Sequence, residues 1–133
     1  MGSDLFINAR TDVYLARACE PESRLDATIQ RANLYLAAGA DGVFVPGVTD
    51  ADTIAALARA IDGQLNIMWA PGAPSVQGLG RLGVARVSLG PGVALIALTA
   101  TMQATREMFD RGTCRALEHC LTFGEVDGMF PGA

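Results

Sequence analysis

Four short apolar runs alternate with helical patterns along this chain. The runs are LFINA (5–9), GVFVP (42–46), LNIMW (65–69) and ARVSL (85–89), and each reads as a strand. After the first, Leu25, Ile29, Ala32 and Leu36 recur at helical spacing. After the second, Ile54, Leu57, Ala58 and Ile61 do the same. A short helix is predicted over 75–82. A long one is predicted over about 92–111, with Leu98, Met102, Thr105 and Phe109 on one stripe. Two more short helices, near 113–121 and 124–130, close the chain as a helical tail over 113–133.

The punctuation supports this reading. Gly39, Gly63, Gly83 and Gly112 each fall just past a helical pattern, where a left-handed C-cap is expected. Ser23 with Asp26, and Thr49 with Asp52, have capping-box spacing, with aspartate in the place of the usual Glu or Gln. Strand–helix repeats with nearly all-apolar strands imply an α/β fold with a parallel sheet covered by helices. Two architectures fit: a small doubly wound sheet, or part of a (β/α)8 TIM barrel. A complete barrel takes about 250 residues. This chain has 133 residues and four units.

Composition narrows the classes. Half of the residues are hydrophobic and 18% are charged, which suits one globular domain over 1–133. Residues 1–3 could be an appended remnant. The net charge is −4, and there is no basic run or basic-aromatic patch, so nucleic acid is not expected as a partner. No apolar run is long enough to span a bilayer, so no membrane is expected either. The start MGSDLF lacks a signal-peptide pattern. Three cysteines without a CxxC argue against a disulfide framework and for a reducing cytoplasm.

Candidate chemistry gathers at the strand C-terminal ends, where both architectures place their sites. Phe6, Asn8 and Arg10 share one strand face. Arg10 then stands at the mouth, its planar fork suited to a carboxylate or phosphonate. An Arg10–Asp12 ion pair is the plain alternative. Asn66 and Met68 share a face of the third strand, and the turn APGAPS (70–75) places Ser75 as a helix N-cap. The glycine-rich turns at 70–75 and 88–92 could receive an anion on free backbone N–H groups, or be ordinary connections. Neither is a P-loop. Trp69 either walls a pocket or packs. His119, the only histidine, lies in the tail pattern and reads as structural, which argues against a His triad or a zinc site. Cys114 and Cys120 read as small core residues, and Cys19 as an ordinary thiol.

The stretches INARTD (7–12), RANLYLAAGADGVFVPG (31–47), LNIMWAPGAPS (65–75) and LGVARVSLGP (82–91) together resemble the isocitrate lyase / phosphoenolpyruvate mutase superfamily. The tail GTCRALEHCLTFGEVDGMF (112–130) resembles the end of its phosphonomutase-like members. The resemblance implies the C-terminal half of a (β/α)8 barrel, strands five to eight, often with a swapped C-terminal helix in the oligomer. It implies that Arg10 holds the carboxylate or phosphonate of a 2-oxo acid and that Asn66 contacts the substrate. Asn8, on the strand face it shares with Arg10, is counted with the substrate-binding candidates, and by the resemblance Ser75 lies where a loop closes on the ligand. The family chemistry cleaves or moves a C–C or P–C bond, with Mg2+ stabilising an enolate-like intermediate. The chain departs from the family in two ways. Pro46-Gly47 stands where lyase members have Pro-Glu, which argues against a true isocitrate or methylisocitrate lyase. The half that carries the family's magnesium ligands and catalytic cysteine loop has no counterpart, so Cys19 does not inherit that role.

Three functions follow. The chain could be half of a magnesium-dependent lyase or mutase for a small 2-oxo acid or phosphonate, completed by an N-terminal half-barrel. It could be a non-catalytic half-barrel that pairs with a second copy, since four parallel strands leave two edges and an inner face open. It could be a monomeric doubly wound phosphate-binding domain.

Overall fold

The structure, a computed structural model, describes residues 5–130. The possible remnant at 1–3 lies outside the described residues. The chain falls into two compact units, one ending at Gly90 and the other beginning at Pro91.

The first unit carries strands β1 (Asn8–Arg10), β2 (Gly42–Val45), β3 (Gln64–Met68) and β4 (Arg86–Ser88). Between them lie helices α1 (Arg24–Ala37), α2 (Ala51–Ala60) and α3 (Val76–Arg81). The strands are all parallel and lie in sequence order, β1-β2-β3-β4. A doubly wound sheet reverses its strand order at a switch point. This sheet has no reversal, which matches consecutive strands of a barrel.

Side-chain alternation assigns the two faces. Val43, Val45, Leu65, Ile67 and Val87 share one face by register. They pack with Ala32 of α1, Ile54 and Leu57 of α2 and Leu79 of α3 in one core cluster. The opposite face carries Asn8, Arg10, Phe44, Gln64, Asn66, Met68, Arg86 and Ser88. Of these only Asn66 is buried. Helices therefore cover one face of the sheet, as on the outside of a barrel, and the polar face is the inner one.

The local chemistry departs from expectation at four places. The first strand begins at Asn8, not Leu5, and Leu5, Phe6 and Ile7 are 74%, 54% and 55% exposed. The reason is register. β2 begins only at Gly42, so the Ile7 N–H donates to the Asp41 carboxylate at 2.7 Å. Gly63 is not left-handed. Instead residues 61–63 bend between α2 and β3, and Asn33 of α1 caps the helix end. The Asn33 amide donates to Ala60 O at 3.1 Å, and its Oδ1 accepts from Asp62 N at 3.1 Å. Gly39, Gly83 and Gly112 do have positive φ, as expected of C-caps.

Ser23 makes no cap hydrogen bond, because a 3-10 turn over Pro21–Ser23 already leads into α1. Asp50, not Thr49, caps α2, accepting from Thr53 N at 2.8 Å. A capping box absent from the sequence reading, Thr122 with Glu125, begins the last helix.

The second unit contains α4 (Gly92–Arg111), a 3-10 turn over Arg115–His119, and α5 (Phe123–Gly128). No residue of α4 is buried, and the expected stripe is open: Leu98, Met102 and Phe109 are 61%, 52% and 87% exposed. Cys114 and Cys120 are not core residues. Cys120 is exposed, and its thiol donates to Ala116 O at 3.3 Å. The turn after α4 is fastened by Glu107, whose carboxylate accepts from Thr113 Oγ1 at 2.8 Å and from Arg115 N.

Two outcomes test this account. Ile67 is fully buried at the centre of the one-sided core. Replacing it with Ala is expected to lower stability by about 2–5 kcal/mol in urea denaturation. Thr53 N–H donates to Asp50 and holds its carboxyl below the ordinary value. The stabilisation it gives is therefore present above the usual carboxylate pKa and lost as pH falls through the lower folded value. Asp50→Ala is expected to remove that part of the acid dependence of α2, read by amide exchange across pH 2–6.

Candidate functional site

The inner face places its polar groups in a row. Arg10, Phe44, Asn66 and Arg86 are successive partners across the four strands. Arg10 ends β1 and is exposed. Its Nε donates to Asp12 Oδ1 at 2.6 Å, and its guanidinium lies 5.6 Å from the centre of the Phe44 ring. The ion pair anticipated as the plain alternative is therefore present. Both its side chains are half-exposed, 50% and 49%, so it contributes at most about 1 kcal/mol. Its geometric effect is larger. Asp12 takes the Nε edge, and Phe44 supports the guanidinium plane through a cation–π contact worth about 0.5–1 kcal/mol. Neither Nη group makes a hydrogen bond among the described residues.

Asn66 sits on central strand β3 and is only 2% exposed. Its Oδ1 accepts from Ser88 Oγ of β4 at 3.0 Å. Asn8 lies one row below Arg10 on the same face, opposite Gly42. Its Oδ1 is buried and has no hydrogen-bond partner among the described residues, and the same holds for Thr11 Oγ1. Such groups normally find partners, so two unmet acceptors near the end of β1 mark a polar environment that is incomplete here.

Ser75 stands apart from this row. Its Oγ accepts from Gly78 N at 3.1 Å as the N-cap of α3, and no hydrogen bond joins it to Arg10 or Asn66 among the described residues. The turn before it is braced by Trp69, whose indole N–H donates to Pro74 O at 3.1 Å.

At the end of β2, Gly47 has φ +89°, and a Cβ there would fall 2.8 Å from the backbone of Leu15. The segment after β1 lies directly against this glycine. Tyr14 in that segment packs on the core, and burial raises its phenol above the ordinary value. Local packing thus excludes any side chain, a carboxylate included, at position 47.

Two residues of the site escaped the sequence reading. Phe44 was hidden in an apolar run, although its parity is opposite to that of Val43 and Val45. Ser88 had a readable signal, a polar residue two positions beyond Arg86 on the inner-face parity of a strand.

A parallel sheet in sequence order with helices on one face has the architecture of half a (β/α)8 barrel. The profile of the family described as Phosphoenolpyruvate phosphomutase matches residues 1–109, and the chain belongs to that family. An uncharacterised protein of Mycobacterium tuberculosis is 43% identical over 107 residues, which cover 80% of this chain and 40% of that protein. The chloroplastic carboxyvinyl-carboxyphosphonate phosphorylmutase of Arabidopsis thaliana is 43% identical over 61 residues, 46% of this chain and 17% of that protein. The crystal structure of a "putative lyase/mutase" from Burkholderia cenocepacia J2315 superposes with a TM-score of 0.86 at 36% identity, covering 96% of this chain and 45% of that one. A "putative phosphonomutase" from the same organism gives 0.71 at 44% identity, covering 77% and 42%. The chain therefore spans less than half the length of these relatives, and its fold is that of half a TIM barrel. No helix among the described residues is long and apolar enough to cross a membrane.

Asp12→Asn removes the ion pair to Arg10 and is expected to lower stability by less than about 1 kcal/mol, in keeping with the small worth of an exposed pair. Urea denaturation of the two proteins checks this.

Proposed function

We propose that this chain is the anion-holding half of a lyase or phosphonomutase that acts on a C–C or P–C bond of a small 2-oxo acid, of the phosphonopyruvate, oxaloacetate or isocitrate kind. The observation that carries the reading is the inner-face row, with the Arg10 guanidinium laid over Phe44 beside the buried amide of Asn66. Arg10 receives the carboxylate or phosphonate through its Nη groups. Asn66 donates its amide N–H to a second oxygen of the substrate. Asn8 extends the site below Arg10. Ser75 acts indirectly, by shaping the turn after β3.

Magnesium is expected for the complete enzyme. Among the described residues no three His, Cys, Asp or Glu side chains stand close enough to hold a metal ion, so this half does not fit that role. Completion falls to the other half of a barrel, supplied by a longer chain or by a partner. A second reading, a half-barrel that assembles and binds anions without catalysis, draws on the exposure of Leu5, Phe6 and Ile7 beside the open inner face. The two readings share the anion site and differ in turnover. We place the protein in the cytoplasm.

Arg10→Ala is expected to weaken pyruvate binding tenfold or more, with Arg10→Lys intermediate because it keeps the charge and loses the fork. Unchanged affinity in Arg10→Ala, measured by calorimetry, would overturn the site assignment. Turnover of phosphonopyruvate or oxaloacetate with magnesium in the assembled barrel, and its loss in Arg10→Ala, separates the catalytic reading from the assembly reading.

A further inference from the structure

The polar face of the sheet carries two arginines and little to balance them. Arg10 is answered by Asp12, whose carboxylate accepts from its Nε at 2.6 Å. Arg86, in register with Asn66 of β3, is exposed and makes no ion pair or side-chain hydrogen bond among the described residues. The other residues of that face are Asn8, Phe44, Gln64, Asn66, Met68 and Ser88, and none is acidic. Arg86 also lies on β4, which with β1 forms the edges of the sheet. Ser88 ends β4, so Arg86 stands one inner-face step below the strand end. A closed barrel has a packed interior, and an unpaired charge inside it is strongly destabilising. Whatever docks on the β4 edge must therefore answer Arg86.

We propose that Arg86 selects the half-barrel that completes the fold: it requires an inward-facing carboxylate on the strand that docks beside β4, and it rejects a second copy of this chain. This rests on the reading that another half-barrel completes the sheet. The rejection follows from the edges. Closing two copies into one barrel places β4 of each beside β1 of the other, because these are the edge strands. The inner-face residues of β1 are Asn8 and Arg10. Asn8 is neutral and Arg10 is a second cation, so Arg86 meets no counter-charge on that strand. Asp12 lies beyond the end of β1 and is committed to Arg10. Like charges on neighbouring strands repel, and a two-copy barrel meets this repulsion at both of its seams. Two copies of Arg10, Arg86 and Asp12 also leave the interior with an excess of positive charge. A segment of different sequence, with a carboxylate on the inner face of its docking strand, removes both defects: it pairs the β4 edge and neutralises Arg86.

The test has two arms. In the first, sedimentation equilibrium measures self-association of wild type, Arg86→Gln and Arg86→Glu, with circular dichroism to show that each is folded. Self-association is expected to strengthen in that order, by roughly tenfold or more from wild type to Arg86→Glu, since a carboxylate at 86 meets Arg10 of the second copy. The gap is expected to narrow in about 0.5 M sodium chloride, where salt screens the charges. Should Arg86→Glu lose its fold, Arg86→Gln against wild type still reads the effect. In the second arm, the tagged chain is co-expressed with the segment of the Burkholderia cenocepacia lyase/mutase that it does not cover, and the retained segment is quantified. Wild type and Arg86→Lys are expected to retain it, and Arg86→Glu to retain roughly tenfold less. Equal self-association of the three proteins would overturn the proposal, and so would retention by Arg86→Glu at the wild-type level. Should wild type retain none of the segment while the order of self-association holds, the completion reading fails and the action of Arg86 against self-pairing stands.

Discussion

Each strand of a parallel sheet presents alternate residues to its two faces, and here helices reach only one of them. That constraint organises the first unit. Val43, Val45, Leu65 and Ile67 are removed from water by α1, α2 and α3, and their burial supplies the driving force for the unit. The residues between them must then be tolerable on a face that none of α1, α2 and α3 covers. They are Asn8, Arg10, Phe44, Gln64, Asn66, Met68, Arg86 and Ser88, a set too polar for a second core. The same alternation that builds the core thus gathers the functional groups. A doubly wound sheet would need apolar residues at both parities, and this sequence lacks them.

Much of the fold was legible because it rests on periodicity. β2, β3 and β4 and the helices after each strand follow from apolar runs and helical spacing that survive in the structure. Those signals left a doubly wound sheet open beside a partial barrel; the half-barrel reading came from the family resemblance, and the strand order agrees with it. The failures lie where tertiary partners replaced local signals. Gly63 looked like a C-cap by position. Asn33, remote in sequence, caps α2 instead, and a Cβ at Gly63 would fall 2.7 Å from a Leu36 methyl, so that side chain would have to shift to admit one. Leu5 to Ile7 looked like a strand, but a strand needs a neighbour, and β2 begins too late to provide one. Thr122 with Glu125 has a capping-box spacing visible in the sequence, and both of its hydrogen bonds form at the start of α5.

The site was legible to a lesser degree. Arg10 and Asn66 stood out as polar residues at the ends of apolar strands, and register places them in one row. What the sequence could not supply was the environment of each. The pairing of Arg10 with Asp12, the ring beneath the guanidinium and the Ser88 hydroxyl bonded to Asn66 are all cross-strand or turn contacts. Each depends on a register that a run of apolar residues does not encode.

Gly47 shows how one position shapes the chemistry available to the rest. Its positive φ and its contact with the Leu15 backbone bring the segment after β1 against the end of β2. Thr11 N–H donates to Phe44 O at 3.0 Å in the same region, so β1 stays paired with β2 up to the point where this segment turns. A carboxylate at position 47 would require that segment to move. Its exclusion leaves the β2 end without an acid, and the charged groups remaining on this part of the inner face are Arg10 with its partner Asp12, and Arg86. Asp12 is exposed and holds only one edge of Arg10, so the balance of groups along the row is donors: guanidinium N–H groups and the Asn66 amide. A row weighted toward donors suits an anion that offers two oxygens, and this complementarity is the physical basis of the proposed reading.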